Sequence, residues 1–198
     1  MTPEEAKALL VEAGAMLDGH FLLSSGRHSD RYVEKARILE RPTAVDALAE
    51  EIASRYERVE TVVSPAVGAI VLGFAVARRT GSRFLFAERE AGRMALRRGF
   101  AIRPGERVLV VEDVVTTGGS ASEVFDLLGR HGADRLGVAA LVDRSQGDVG
   151  FPLRAVVRVE AESWDPADCP LCREGRPIEA PGSKYVAART ETSPSSRG

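Results

Sequence analysis

Val108-Leu109-Val110-Val111-Glu112-Asp113-Val114-Val115-Thr116-Thr117-Gly118-Gly119-Ser120 is the stretch from which the fold is read. A run of branched apolar residues ends in two adjacent acids, and a Thr/Gly/Ser segment then opens a helix. Apolar runs of this kind belong to strands buried on both faces, as in a parallel sheet. In open α/β sheets, ligands lie beyond the carboxyl ends of the strands, which is where this segment falls. Gly118 and Gly119 allow close backbone approach, and N–H groups at the helix start join Thr and Ser hydroxyls as donors to an anion. There is no Gly-Lys-Ser/Thr, so the segment is not a Walker loop, and the Gly-x-Gly-x-x-Gly spacing of a dinucleotide site is missing too. Carboxylates beside a phosphate cradle repel a bare anion but suit vicinal ribose hydroxyls lying next to a 5-phosphate.

Outward from this stretch, strands and helices alternate. Thr61-Val62-Val63 is a short strand, Ser64 to Gly68 a loop and Ile70 to Arg79 a buried helix. Arg83 to Ala87 is a strand, and Ser120 to His131 a helix stopped by Gly132. Leu136 to Val142 and Leu153 to Val159 are further strands. Near the start, Thr2, Pro3 and Glu5 form a capping box for a helix over about residues 3–17. Thr43 caps a helix with Val45, Leu48, Ala49, Ile52 and Tyr56 on its apolar face. Gly19 to Tyr32 is polar and without a period, and so is Glu88 to Phe100. Alternation of this kind gives a parallel sheet covered on both faces by right-handed crossovers. Residues 186–198, rich in Ser, Thr and Arg, have almost nothing to bury and read as a disordered tail.

Composition bounds the function. The chain has 198 residues, 44% hydrophobic and 28% charged, with a formal net charge of −2. That size fits one domain. No basic excess exists to neutralise nucleic-acid phosphates. The acidic start Met1-Thr2-Pro3-Glu4-Glu5 is unlike a signal peptide, and the longest uncharged stretch, Thr61 to Ala77, is too short to span a bilayer. A cytoplasmic location without membrane or nucleic-acid partners is expected.

Glu112 to Ser120 resembles the phosphoribosyl-diphosphate (PRPP) signature of type I phosphoribosyltransferases. Gly19-His20-Phe21-Leu22-Leu23-Ser24-Ser25-Gly26-Arg27-His28-Ser29-Asp30-Arg31-Tyr32 is similar to the hood of the orotate members, as is Val142-Asp143-Arg144-Ser145 after a core strand. The resemblance covers about residues 5–182. It implies an α/β fold with a mostly parallel five-stranded sheet flanked by helices. The single domain would cover 1–185, with a hood from about 1–40 and 160–185 and a core at 41–159. The implied reaction transfers the 5-phosphoribosyl group of PRPP to orotate, with an oxocarbenium-like transition state and Mg²⁺ held mainly by the substrate diphosphate. No protein-built metal site is expected.

Residue roles follow from the same resemblance. Glu112 and Asp113 would bind ribose hydroxyls, and Asp113 is also a catalytic candidate. Val114, Val115, Thr116, Thr117, Gly118, Gly119 and Ser120 would bind the rest of PRPP, chiefly its 5-phosphate. Thr116 would also face orotate, and Arg144 would take its anionic edge, where a planar fork suits a carboxylate. Ser64 to Gly68 corresponds to the pyrophosphate loop, with Val67 where the family often has Lys; Ser24 likewise replaces a common Lys. Glu88 to Phe100 corresponds to a mobile loop that closes over the partner's site in a homodimer, with Arg89 as catalytic, PRPP-binding cation and Arg93 as a further PRPP contact. Two other readings are a purine phosphoribosyltransferase and a PRPP-sensing regulator. Cys169-Pro170-Leu171-Cys172 is a single zinc-type pair without a second, so two reduced cysteines in the hood are expected, and His20, His28 and His131 show no ligand spacing.

Overall fold

The computed structural model describes residues 1–23 and 25–181; the expected tail 186–198, the end of the expected hood at 182–185 and Ser24 lie outside the described residues. Helix α1 (Pro3–Glu12) opens with the expected capping box, Thr2 accepting from the Glu5 N–H and Glu5 from the Thr2 N–H. It ends well before residue 17, because the chain turns at Gly14 with φ +69°. Met16–Leu22 is instead strand β1, antiparallel to β2 (His28–Val33). The polar stretch without a period is therefore a hairpin.

Short helix α2 (Ala36–Leu39) leads to α3 (Pro42–Ala53). Pro42 is its first residue, so Thr43 lies inside the first turn rather than at the cap. Its buried face holds Val45, Leu48, Ala49 and Ile52, as the spacing predicts. Next come β3 (Thr61–Pro65), α4 (Ile70–Thr80), β4 (Arg83–Glu90) and β5 (Arg93–Leu96). They are followed by β6 (Arg107–Val115), α5 (Gly119–Arg130), β7 (Asp134–Asp143) and β8 (Leu153–Arg158). The described chain closes with β9 (Ser163–Trp164) and α6 (Pro170–Arg173).

The main sheet has the order β5-β4-β3-β6-β7-β8. Its five parallel strands are the five expected; β5 adds a sixth, antiparallel, at the edge. Residues 88–100 thus form a hairpin rather than a loop without structure. Ala91 and Gly92 both have positive φ, the backbone a two-residue hairpin turn needs.

From β3 the chain winds one way through α4 to β4, and from the adjacent β6 it winds the other way through α5 to β7. The order reverses between β3 and β6, and a crevice opens there at the carboxyl ends. Strand alternation divides the interior into two cores. Val62, Leu109, Val111 and Leu141 face α3 and α4, while Val63, Val108, Val110 and Val138 face α5. Above the crevice, β1, β2 and β9 make a small antiparallel hood sheet from both ends of the described chain.

At the opposite sheet edge, Glu106 is a buried carboxylate that ties strand starts together. Thr61 Oγ1 and Arg83 Nη1 (3.0 Å) donate to one of its oxygens, and the Arg103 N–H (2.9 Å) donates to the other. Burial pushes its pKa up, but the bonds from Thr61 and Arg103 and the charge of Arg83 outweigh that and hold it low. A lowered folded-state pKa gives stability above the unfolded value near 4.5, lost as pH falls through the folded one. Glu106→Gln should cost about 2 kcal/mol near neutral pH. In urea unfolding, its deficit against wild type should shrink as the pH drops below 4.5.

Candidate active site

The sequence expectation ended a strand at Val111, but β6 runs on to Val115, so Glu112 and Asp113 are strand residues. Both are buried, at 8% and 3% exposure, on consecutive positions of the central strand. The Asp113 N–H donates to Glu112 Oε1 (3.0 Å), and the Val114 N–H donates to Asp113 Oδ1 (2.6 Å). Asp113 Oδ2 lies 2.5 Å from Lys35 Nζ, an ion pair whose ammonium is out of line for a hydrogen bond. Burial first, and the Asp113 charge second, push the Glu112 carboxyl up to about 8. The two buried carboxyls thus resist carrying charge together, and one lysine is set against them.

The crevice between β3 and β6 brings the Ser64–Gly68 loop onto this pair. A Cβ on Gly68 would collide with Asp113 Oδ2 and Lys35 Nζ, so only glycine leaves the space free. Just beyond β6, Thr116 and Thr117 are exposed and Gly118 is buried. Gly118 has φ +75° and its missing Cβ would press on Phe151 and Val149 at 3.2 Å, so glycine is required on both counts. Gly119 and Ser120 begin α5, whose first N–H groups lack helical partners. A phosphate-sized anion fits that arrangement.

Arg144 stands beside the cradle. Its N–H donates to the Val115 carbonyl (2.8 Å), continuing the pairing of β7 with β6. Its Nη2 donates to the Arg31 carbonyl (3.2 Å) and Ser29 Oγ (3.4 Å) of the hood, while its buried Nε has no hydrogen-bond partner. Asp143 pairs with Arg158 instead. A cavity of about 410 Å³ lies against Arg144 at the junction of hood and core, with Asp30, Arg31, Arg158 and Glu160 in its wall.

Arg89 and Arg93 sit apart from this group, on the β4–β5 hairpin. Arg89 makes a two-pronged pair with Glu123 of α5 (2.9 and 3.0 Å), and Glu123 also accepts the Met94 N–H. Arg98 pairs with Glu88 and Arg97 with Glu90, so the arginines dress the hairpin. Arg93 is exposed. Lys35 is the site residue that sequence reading missed: it lies between β2 and α2, and no local pattern marks it.

The phosphoribosyl transferase domain model matches residues 35–162. The chain is 50% identical over 182 residues to orotate phosphoribosyltransferase of Thermotoga maritima, covering 90% of this chain and 97% of that protein. It is 47% identical over 190 residues to the orotate phosphoribosyltransferase of Desulforamulus reducens, covering 94% and 100%. The chain belongs to the orotate phosphoribosyltransferase family. The crystal structure of orotate phosphoribosyltransferase from Aeropyrum pernix superposes with a TM-score of 0.66 at 28% identity, over 78% of this chain and 93% of that one. An adenine phosphoribosyltransferase from Rhodothermus marinus shares the fold, with a TM-score of 0.62 at 19% identity over 78% and 99%. Among the described residues no helix is long and apolar enough to cross a membrane.

For this orotate phosphoribosyltransferase family member, the raised pKa of Glu112 has a measurable consequence. The stabilising protonated form is complete below the ordinary value of 4.5 and lost as pH rises through about 8. Glu112→Gln fixes the neutral form. Its melting temperature without ligand should lie close to wild type near about pH 5 and exceed it by roughly 10 °C near about pH 9.

Proposed function

We propose that this chain joins orotate to the 5-phosphoribosyl group of PRPP, releasing pyrophosphate and forming orotidine 5′-monophosphate for pyrimidine synthesis. The observation that carries this reading is the buried Glu112–Asp113 pair running into the left-handed Gly118 and the start of α5. Asp113 accepts from one ribose hydroxyl, while protonated Glu112 can donate to the other. The segment Val114 to Ser120 takes the 5-phosphate on hydroxyls and N–H groups. Lys35 and the Ser64–Gly68 loop face the diphosphate side of the same crevice.

As the bond from the anomeric carbon to the diphosphate oxygen breaks, N1 of orotate gives up its proton to solvent or to the departing diphosphate and forms the new bond to that carbon. Positive charge grows on the ribose ring and negative charge on the departing diphosphate. Fixed charges aimed at those positions lower the barrier, and no protein nucleophile is needed. Hard oxygen donors at the Asp113 carboxylate suit Mg²⁺, which would neutralise diphosphate charge while keeping substrate and water oxygens as its main ligands. Thr116 faces the base, and Arg144 offers its guanidinium to the orotate carboxylate. That cation, bridging hood and core, favours orotate over an uncharged purine.

Pyrophosphate release with orotate, hypoxanthine, xanthine and adenine tests the reading. Orotate alone should support turnover, and turnover with a purine instead would overturn it. Asp113→Ala should lower kcat/KM at least about 100-fold with a folded structure intact. Arg144→Ala should raise the KM for orotate about tenfold or more and leave that for PRPP within about twofold. Equal losses for both substrates would remove Arg144 from the base site.

The reading includes a cytoplasmic homodimer in which the β4–β5 hairpin of one subunit serves the other's site. For that, Arg89 must leave Glu123, an exposed pair of small strength. Mixing inactive Arg89→Ala and Asp113→Ala proteins, with subunit exchange verified by differential tags, should restore up to about a quarter of wild-type activity, from hybrids with one intact site. Tagged hybrids without activity would assign the hairpin to its own subunit.

A further inference from the structure

The hood holds a cluster that the phosphoribosyl chemistry does not use. His20 Nε2, His28 Nδ1, Cys169 Sγ and Cys172 Sγ converge so that all four atoms lie within 4.8 Å of one another. The two ring nitrogens are 3.0 Å apart. Nitrogen–sulfur separations are 3.3 Å (His28 to Cys172), 3.5 Å (His20 to Cys169) and 3.7 Å (His20 to Cys172). A tetrahedral Zn²⁺ with ordinary bond lengths sets nitrogen–nitrogen edges near ~3.3 Å and nitrogen–sulfur edges near ~3.6 Å. These four edges have the dimensions of such a tetrahedron, with the nitrogens slightly drawn together, and the remaining two are within 4.8 Å.

Orientation agrees with size. His20 Nδ1 lies 2.9 Å from the Arg176 carbonyl. A neutral ring donating its proton there presents only a lone pair to the cluster from Nε2. This is the outer contact by which metal-ligating histidines are usually aimed. His20, His28 and Cys169 are buried, and the two cysteines are free thiols. Two imidazoles and two thiols suit Zn²⁺ and do not suit Mg²⁺, which prefers oxygen. Sequence spacing concealed the set, because the histidines lie on paired strands β1 and β2, about 140 residues from the cysteines by the numbering.

We propose that His20, His28, Cys169 and Cys172 form a structural Zn²⁺ site that fastens the C-terminal segment to the hood hairpin. Four protein ligands complete the tetrahedron and leave no position for water or substrate, so the site holds structure rather than running chemistry. The two thiols release their protons to solvent as they bind, and two thiolates balance the metal's charge. The anchored segment already touches the hairpin: the Leu22 N–H donates to the Glu179 carbonyl and the Glu179 N–H to that of His20, both at 2.8 Å. His28 is followed by Ser29, whose Oγ accepts from Arg144. The metal therefore braces the hood wall next to the proposed base site, and its presence does not depend on which base is used.

The test uses untagged full-length protein, purified under reducing conditions, loaded with Zn²⁺ or Co²⁺ and freed of excess metal. Elemental analysis should find about one zinc per chain. The Co²⁺ form should show a thiolate-to-cobalt charge-transfer band and intense tetrahedral d–d bands. Chelation should lower the melting temperature by about 10 °C. Cys169→Ser/Cys172→Ser and His20→Gln should lose the metal and both absorption features, whereas His131→Gln, an exposed histidine elsewhere, should keep them. Should the cysteine variant not fold, the wild-type stoichiometry and cobalt spectrum decide. Reduced wild-type protein that retains no metal, a weak octahedral cobalt spectrum, or undiminished metal in the folded cysteine variant would each overturn the proposal.

Discussion

Two carboxylates buried side by side at the end of the central strand impose the constraint on which the site depends. Ionising both Glu112 and Asp113 in that position would set two negative charges together in a poorly hydrated place. Burial and the Asp113 charge raise the Glu112 pKa, while an ammonium from Lys35 and backbone N–H groups of the next residues face the pair. That arrangement needs β3 and β6 to be neighbours, so that the loop after β3 can approach. It also needs Gly68, because any side chain there would displace the ion pair. Strand order, a glycine and a protonation state are parts of one solution.

Beside the apolar packing of Val33 and Met16 against the core, polar contacts of long reach join the hood to it. Arg144 holds β2 from the end of β7, and Arg31 reaches the Glu160 carbonyl. Such contacts carry direction but little energy each. A small three-stranded sheet with one two-residue strand has little apolar surface to bury, which is the situation in which small units acquire a staple. The His/Cys cluster occupies the place where that staple would hold most, between the hairpin and the segment that returns to it.

An adenine phosphoribosyltransferase at 19% identity shares this architecture, so the fold alone does not choose the base. In the function proposed above, discrimination between bases falls to side chains added around that architecture, Arg144 and the hood above it. The crevice position is common to the fold, and Arg144 stands at its rim in this chain.

Much of the core was legible along the chain. The run Val108–Val111, the acids, the Gly-rich turn and the apolar period of α5 are local patterns, and each element formed where its pattern lies. The capping box at Thr2 behaved in the same way. Boundaries were less legible where a single glycine redirected the chain, as Gly14 did in converting the end of a helix reading into β1. The β4–β5 hairpin was obscured by charged residues, since its signal was a pair of turn residues with positive φ rather than an apolar alternation. Lys35, His20 and His28 left no local trace, and the Cys169–Cys172 pair showed only half of its cluster. They are brought together by strand pairing and by the return of the C-terminal segment. The sequence alone determined the five parallel strands and the helices between them, because those depend on neighbours a few residues away. Only the tertiary structure decided which lysine balances Asp113, how Arg144 is aimed and that two histidines meet two cysteines, because those contacts join residues that are close in space but far apart along the chain.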